Sequence, residues 1–479
     1  MICRKRAVVW FRQDLRIHDN EALIEALRCV DEVIPVFVFD QRTFVGKTRF
    51  GFPKTGKYRA QFIIESVADL RNSLAALGSS LVVRVGKPEE ILYEIARKAN
   101  TSWVFCNRER TREEVEVQDA LEKKLWSIGQ EMRYSRGKML YYTADLPFPV
   151  THTPDTFTQF RKEVEKTVPI RPPLPAPKKP FTPLSIQIDP GKIPTLTDFG
   201  HTPFEPDTRA GVAFKGGETA ALDRLAYYFW ETGLVKTYKE TRNQLLGGDF
   251  SSKFSPWLSQ GCLSPKLIYQ QLQQFEAKNG ANESTYWLYF ELLWRDFFRF
   301  MGKKHGDKIF FKGGIKGVAD PAWRNDFAVF NKWKEGRTGV PFIDANMREL
   351  NQTGFMSNRG RQNVAGFLVK DLGINWQMGA EYFESLLIDY DPCSNWGNWN
   401  YVAGVGSDPR EDRYFNILSQ ARRYDPKGEY VKHWLPELAD LPVEKVHQPD
   451  RLTFDEQSAM HCHIGDDYPL SLVPSSHWE

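Results

Sequence analysis

The sequence predicts an N-terminal α/β domain with a doubly wound parallel sheet and a C-terminal all-α domain, joined by a long Pro-rich linker. Three observations carry this. Apolar runs alternate with helix-periodic stretches over residues 6–140. Residues 169–206 hold 11 of the 29 prolines. From 216 onward, apolar positions recur three and four apart and strand signals become sparse. At 479 residues the chain also exceeds one ordinary domain.

Taken in order, RAVVWFR, EVIPVFVFD, SLVVRVG and SWVFCN read as strands buried on both faces, because they are nearly continuous apolar runs bounded by polar turns. Between and after them, NEALIEALRCV, KYRAQFIIESVADLRNSLAALG, PEEILYEIARKAN and EEVEVQDALEKKLWSIG have helical periodicity, which implies right-handed crossovers. No GxGxxG follows the first strand, so the dinucleotide fingerprint is missing. PIRPPLPAPKKPFTP lacks donors and blocks helix, so an extended surface linker is expected. The helical half then runs through GETAALDRLAYYFW, LIYQQLQQFE, STYWLYFELLWRDFFRFM, VPFIDANMREL and NVAGFLVKDLG. The expected boundaries are 1–145, 146–215 for the linker, 216–440 for the helical domain and 441–479 for a polar tail on the surface.

A net charge of +3 excludes a globally basic chain, so any anion-binding surface must be local. Six cysteines without CxxC spacing fit a reducing compartment. No run of about 18 apolar residues is present, and the chain passes from MICRKR straight into a strand, so a cytoplasmic protein with no membrane span is expected. His461, Cys462 and His463 are adjacent but lack spaced partner ligands, so no metal is expected.

Four stretches can carry chemistry. In DFSSKFSPWLSQGCLSP, Ser255 reads as the N-cap of a helix with Pro256 at its first position. Ser251, Ser252 and Lys253 precede it, which suits a phosphate or diphosphate; an ordinary capped helix is the alternative. In STYWLYFELLWRDFFRFM, Glu291 and Trp294 lie one turn apart and make a base-binding wall, while Glu291 with Arg295 at i,i+4 could be a plain ion pair. TGFMSNRGRQNVAGFL places Asn358, Arg359 and Arg361 at a helix start, one arginine for buried acids and the other for an external phosphate. Those acids are Asp389 and Asp391 of DYDPCSNWGNWNYVAG, followed closely by Asn395, Trp396, Trp399 and Tyr401. Aromatic residues make up 14% of the chain, and core filling is the competing reading of each ring. Arg299, Lys303, Lys304, Lys308, Lys312 and Lys316, opposed only by Asp307, read as a basic surface.

These stretches, with WFRQDLRIHDNEAL, KETRNQLLGGDFSSKFSPWLSQGCLSP, ELLWRDFFRF and LIDYDPCSNWGNWNYVAG, resemble the photolyase/cryptochrome family over about residues 6–436. YKETRN, KFSPWL, MSNRGRQ and NWGNWNY are similar to its DASH subgroup. The resemblance implies a C-terminal helical FAD-binding domain. Tyr238, Ser251, Ser252, Lys253, Phe254 and Ser255 would hold the diphosphate, with Leu258 and Arg295 completing the pocket. Asn358, Arg361, Asp389 and Asp391 would surround the flavin ring and ribityl chain, with Asn395 facing N5. Trp399, Trp376 and Trp323 would relay electrons from the surface, and the role of Trp396 stays open.

The activity implied is light-driven splitting of cyclobutane pyrimidine dimers by reduced FAD. Glu291, Trp294, Asn395 and Tyr401 would be the catalytic residues. Tyr401 stands where double-strand photolyases carry Trp, and Phe355 and Gln362 replace bulkier apolar residues. A wider, more polar pocket leaves the cost of flipping a base from duplex unmet, which favours single strands. Arg359, Arg422 and Arg423 are implied phosphate contacts. RNA or duplex DNA bound non-specifically is a further expected partner, and a monomer is the expected state. Glu109 in CNRERTREE aligns with the carboxylate directed at a folate antenna, methenyltetrahydrofolate. The rival reading is a blue-light receptor signalling through flavin photoreduction.

Overall fold

In the computed structural model, residues 5–319, 321–410 and 413–479 are described; Cys3 lies outside them. The α/β domain runs β1 (Arg6–Phe11), α1 (Glu21–Cys29), β2 (Glu32–Asp40), α2 (Lys57–Ala76), β3 (Val82–Gly86), α3 (Pro88–Ala99), β4 (Trp103–Asn107), α4 (Arg112–Trp126) and β5 (Glu131–Ser135). The sheet is parallel throughout, in the order β3-β2-β1-β4-β5. Val8, Trp10, Ile34, Val36 and Val104 pack against α3 and α4 on one face. Ala7, Val9, Phe11, Phe37 and Phe39 face α1, α2 and the helical domain on the other. Covering both faces is why these strands read as unbroken apolar runs.

The sequence reading missed β5. It is an edge strand in which Glu131 and Arg133 are exposed, so its EMRYS has no apolar run to show. The proline-rich stretch has no helix or strand between Thr167 and Leu196. Backbone hydrogen bonds from Asp19 to Leu174, Val83 to Pro190 and Phe181 to Leu77 pin it across the α/β domain. The helix α5 (Phe157–Thr167), ahead of it, is capped by Thr156.

WFRQDLRIHDN is the joint between the two domains. The buried Arg16 guanidinium donates to carbonyls of His18, Asp19 and Gly261 at 3.0, 2.9 and 2.7 Å. Glu218 accepts the N–H of Ile17 at 2.7 Å and of His18 at 3.1 Å, and Lys266 pairs with Asp19 at 2.7 Å. Gly261, at φ +69°, lies so close to Gln13 that a Cβ there would sit 2.1 Å from its carbonyl oxygen.

The helical domain comprises α6 (Glu218–Ala226), α7 (Ser255–Gln260), α8 (Pro265–Asn279), α9 (Glu283–His305), α10 (Phe327–Lys334), α11 (Pro341–Thr353), α12 (Asn358–Gly366), α13 (Trp376–Leu386), α14 (Pro392–Ala403), α15 (Ile417–Tyr424), α16 (Glu429–Trp434) and α17 (Phe454–Ala459). Helices α9 and α14 run antiparallel: Trp294 meets Tyr401, Phe298 meets Gly397, and Gly302 meets Cys393. A Cβ on Gly397 would stand 2.4 Å from the Phe298 ring, so glycine sets this approach.

The stretch from 441 is corrected from a surface tail to part of the core. Leu441, Val446, Cys462, Tyr468 and Trp478 are buried, and Tyr468 donates to Asp344 at 2.6 Å. Its apolar residues are too widely spaced to read as a periodic element. No described helix is long and apolar enough to cross a membrane, and no described cluster could hold a metal.

Candidate functional site

Helix α14 organises the site. Asp391 is its N-cap, accepting the Ser394 N–H at 2.8 Å, and Pro392 occupies its first position. One turn on, Asn395 donates to the Ala380 carbonyl at 3.0 Å, which fixes its amide. A cavity of about 100 Å³ is lined by Asn358, Arg361, Asp389, Asp391, Asn395 and Trp399, so six residues singled out in sequence converge there. Gln362 lines the same cavity.

Both acids are paired. Arg361 donates to Asp389 at 2.8 Å, while Asp391 is held by Arg299. Burial alone would raise the Asp391 carboxyl, but the Arg299 and Arg295 charges and the Ser394 N–H bring it down to about 2. Arg299 is thus corrected from the basic surface to the buried interior; the ion pair with Asp391 holds it there. Lys303, Lys308 and Lys316 of that run are exposed, whereas Lys304 donates to the Thr153 carbonyl at 2.7 Å.

The 248–255 loop differs from the expected cap. Phe254 is the N-cap of the six-residue α7, Ser255 is already helical, and no side chain caps it. Arg224, which the sequence reading did not single out, shapes this loop by donating to carbonyls of Gly248, Ser251 and Ser252 at 2.9, 3.2 and 3.1 Å. Lys253 adopts φ +59° and is buried, its ammonium 3.6 Å from the Phe250 ring centre and 4.7 Å from that of Phe355. Burial, aided by Arg224 and Arg361, lowers Lys253 to about 7 against the pull of Glu349. Tyr238 is buried on the helical turn preceding this loop.

A second group of the residues singled out in sequence gathers at the other end of α14. Glu291 pairs with Arg242 and not with Arg295, whose guanidinium donates instead to the Lys138 carbonyl at 2.9 Å and the Leu258 carbonyl at 3.3 Å. Burial raises the Glu291 carboxyl, and Arg242 opposes this. Trp294 stacks on Phe157 at 3.7 Å and meets Tyr401 edge-on at 6.1 Å. Phe157 therefore covers one indole face, and the Phe298 ring lies near-parallel to the same indole at 5.5 Å. Arg413 donates to the Tyr401 hydroxyl at 2.9 Å. Arg359 lies over Tyr424 at 4.6 Å and donates to Asn243; Arg423 lies 5.5 Å from the same ring. Burial lowers Arg359, and Arg242, Arg423 and Arg413 lower it further, the sign of a local cationic cluster. Arg422 is exposed and donates to Gln448. Arg242 and Arg413 were missed because each finds its partner across distance, Glu291 49 positions away and Tyr401 12 positions away, and no local spacing marks either pair.

Of the predicted tryptophans, Trp399 lines the cavity, with its ring packed on Gly379 of α13. Trp376 begins α13 fully buried, and Trp323 is half-buried against the same core. Glu109 is buried and paired with Lys138, beside a cleft of about 780 Å³ between the two domains. Burial opposes its ionisation, but Lys138, Arg12 and Arg299 keep its carboxyl below the usual range.

The donor set fits a flavin dinucleotide. One carboxylate oxygen of Asp389, which lines the cavity, is buried with no hydrogen-bond partner, and a buried lysine held near 7 suits an arriving anion.

Comparison with known proteins agrees. Residues 287–478 match the FAD binding domain of DNA photolyase, and residues 7–178 match the DNA photolyase model. A cryptochrome DASH of Gloeobacter violaceus is 53% identical over 98% of this chain and 93% of its own length. One from Xenopus laevis is 48% identical over 98% and 89%. The crystal structure of a Synechocystis cryptochrome superposes with a TM-score of 0.96 at 48% identity, covering 100% of this chain and 98% of that one. An archaeal photolyase from Sulfolobus tokodaii, described with two FAD molecules, gives 0.78 at 28% identity over 98% and 97%. The chain belongs to the photolyase/cryptochrome family, within its DASH cryptochrome subgroup.

Proposed function

We propose that the protein repairs cyclobutane pyrimidine dimers in single-stranded DNA, driven by blue or near-ultraviolet light. The observation that carries this is α14 itself, which presents Asp391, Asn395 and Trp399 to the flavin cavity and Tyr401 to Trp294. Bound FAD in its reduced form would supply the electron that opens the cyclobutane ring and is then returned.

The residues have separate tasks. Lys253 meets the diphosphate, with Ser251, Ser252 and Ser255 around it, and Arg361 with Asp389 orients the ribityl end. Asn395 presents its amide oxygen to the ring. Glu291, its proton shared or withheld according to Arg242, hydrogen-bonds the pyrimidine edge, and Trp294 with Tyr401 forms the wall. Arg359, Arg422 and Arg423 hold the flanking phosphates. A Tyr401 hydroxyl already engaged by Arg413 makes that wall polar, which supports the single-strand preference. Trp399, Trp376 and Trp323 restore reduced flavin from the surface.

The interdomain cleft beside Glu109 suits a second, light-gathering pigment, and a folate is the proposed occupant. Its walls carry both signs of charge, including Arg12, Lys54, Glu113 and Glu114, matching a pterin with a glutamate tail.

The test is light-dependent dimer removal on single-stranded and duplex oligonucleotides with the flavin chemically reduced. Splitting of the single strand alone supports the proposal. No splitting on either, with FAD bound and photoreducible, overturns it in favour of a receptor.

A further inference from the structure

Trp396 and Tyr390 have no task in the relay described above, yet they occupy the partition between the flavin cavity and the interdomain cleft. Tyr390 lines both spaces and Trp396 lines the cleft. The Trp396 ring meets that of Trp376 edge-on at 5.7 Å, close enough for electron exchange between neighbouring rings. Its indole N–H donates to the Tyr390 hydroxyl at 3.3 Å. The hydroxyl of Tyr390 in turn interacts with the Glu384 carboxyl on the cleft side. A phenol with a carboxylate on one side and an indole on the other is placed to lose an electron and a proton to different partners.

Resting on the relay reading, we infer that Trp396 and Tyr390 form a side branch of it that ends in a neutral tyrosyl radical, with Glu384 taking the phenolic proton. Trp399 would lose one electron to bound, light-excited oxidised flavin and be refilled from Trp376. Trp376 is refilled from Trp396, and Trp396 from Tyr390. As that last electron leaves, the O–H bond of Tyr390 breaks and an O–H bond forms on the Glu384 carboxylate. Tyr390 is oxidised by one electron, the flavin is reduced by one, and the proton stays within the protein.

The surroundings require the proton to move. The Arg59 guanidinium lies 4.8 Å over the Tyr390 ring, and a cation there disfavours positive charge on the ring. Electron loss without proton loss is therefore opposed, whereas the neutral radical has no such cost. Groups facing Glu384 are Arg59 from α2, Lys54 from the loop before it, Glu113 from α4 and Tyr390 itself. Burial outweighs the two cations and raises Glu384 to about 7. The carboxylate that accepts the proton therefore gains population as pH rises through about 7.

The experiment is flash excitation of the FAD-loaded, oxidised full chain, with transient absorption and electron paramagnetic resonance identifying the radical. Between pH 6 and pH 8 the carboxylate fraction of a group at 7 grows about tenfold, and the tyrosyl yield should rise in proportion. Glu384→Gln should abolish the pH dependence and leave a tryptophanyl radical, and Trp396→Phe and Tyr390→Phe should each remove the tyrosyl signal. Photoreduction with only a tryptophanyl radical in the unaltered protein at both pH values overturns the branch and needs no variant to fold. A tyrosyl signal that survives Tyr390→Phe does the same. Absence of any photoreduction overturns the relay itself, and the branch with it.

Discussion

Arg299, in the last third of α9, and Asp391, the N-cap of α14, form an ion pair in which the side chains are 4% and 6% exposed. It locks together the helix carrying Glu291 and Trp294 and the helix carrying Asn395 and Trp399. A single truncation strands a buried charge, which costs about 3–5 kcal/mol. Arg299→Met should lower the stability of the protein by that amount in urea titration, and weaken FAD retention on gel filtration.

The same pair sets an acid limit. The Asp391 carboxyl is depressed to about 2 in the folded chain. Its contribution is therefore present above the ordinary carboxyl range near 4 and is lost as pH falls through about 2. Asp391→Asn should flatten the loss of stability between pH 4 and pH 2 while lowering stability at neutral pH. Thermal unfolding across that range measures both.

Much of this was legible in sequence because the features are local. Four of the five strands are apolar runs, and Asp389, Asp391, Asn395 and Trp399 fall within eleven consecutive residues, so one helix start brings them together. What stayed hidden was pairing across distance. Arg299 is one cation in a basic run, and nothing nearby shows that the run turns inward at that residue. Arg242 reaches Glu291 from 49 positions away, and the nearer Arg295 offered a simpler local partner. β5 was unreadable because an edge strand needs only alternate apolar residues. The segment from 441 was misread because scattered single anchors such as Tyr468 have no periodicity.

Glu291 is assigned to substrate and not to cofactor. Glu291→Ala should therefore keep the flavin spectrum and stoichiometry intact while dimer splitting falls. A hydrogen bond to a charged group is worth about 1.5–3 kcal/mol, which corresponds to a loss of about 10- to 100-fold. Repair rate under saturating light, beside the flavin absorbance of the same sample, checks it; a colourless apoprotein would reassign the residue.

Trp399 lies against the flavin cavity and against Gly379 of the helix that begins with Trp376. Trp399→Phe should slow photoreduction of oxidised FAD by at least about tenfold, the equivalent of about 1.4 kcal/mol in barrier. Repair by chemically pre-reduced protein should persist, because that step draws no electron from the relay. Undiminished photoreduction would show another donor at the cavity.

Lys253 and Glu349 predict a proton uptake on cofactor binding. Burial lowers the lysine to about 7 and raises the carboxyl to about 7, so at neutral pH the pair is incompletely protonated. An arriving diphosphate favours the ammonium and disfavours the carboxylate, so both groups are pushed toward their protonated forms. FAD binding should therefore take up protons near pH 7 and weaken as pH rises, by up to about tenfold per pH unit for one proton. Titration calorimetry of apoprotein in phosphate and in Tris buffers reads the uptake as a difference in apparent enthalpy. Lys253→Met should remove most of that difference and weaken binding, because only the Glu349 carboxyl would remain to respond. An equal enthalpy in both buffers for the unaltered protein would mean that the diphosphate does not meet Lys253.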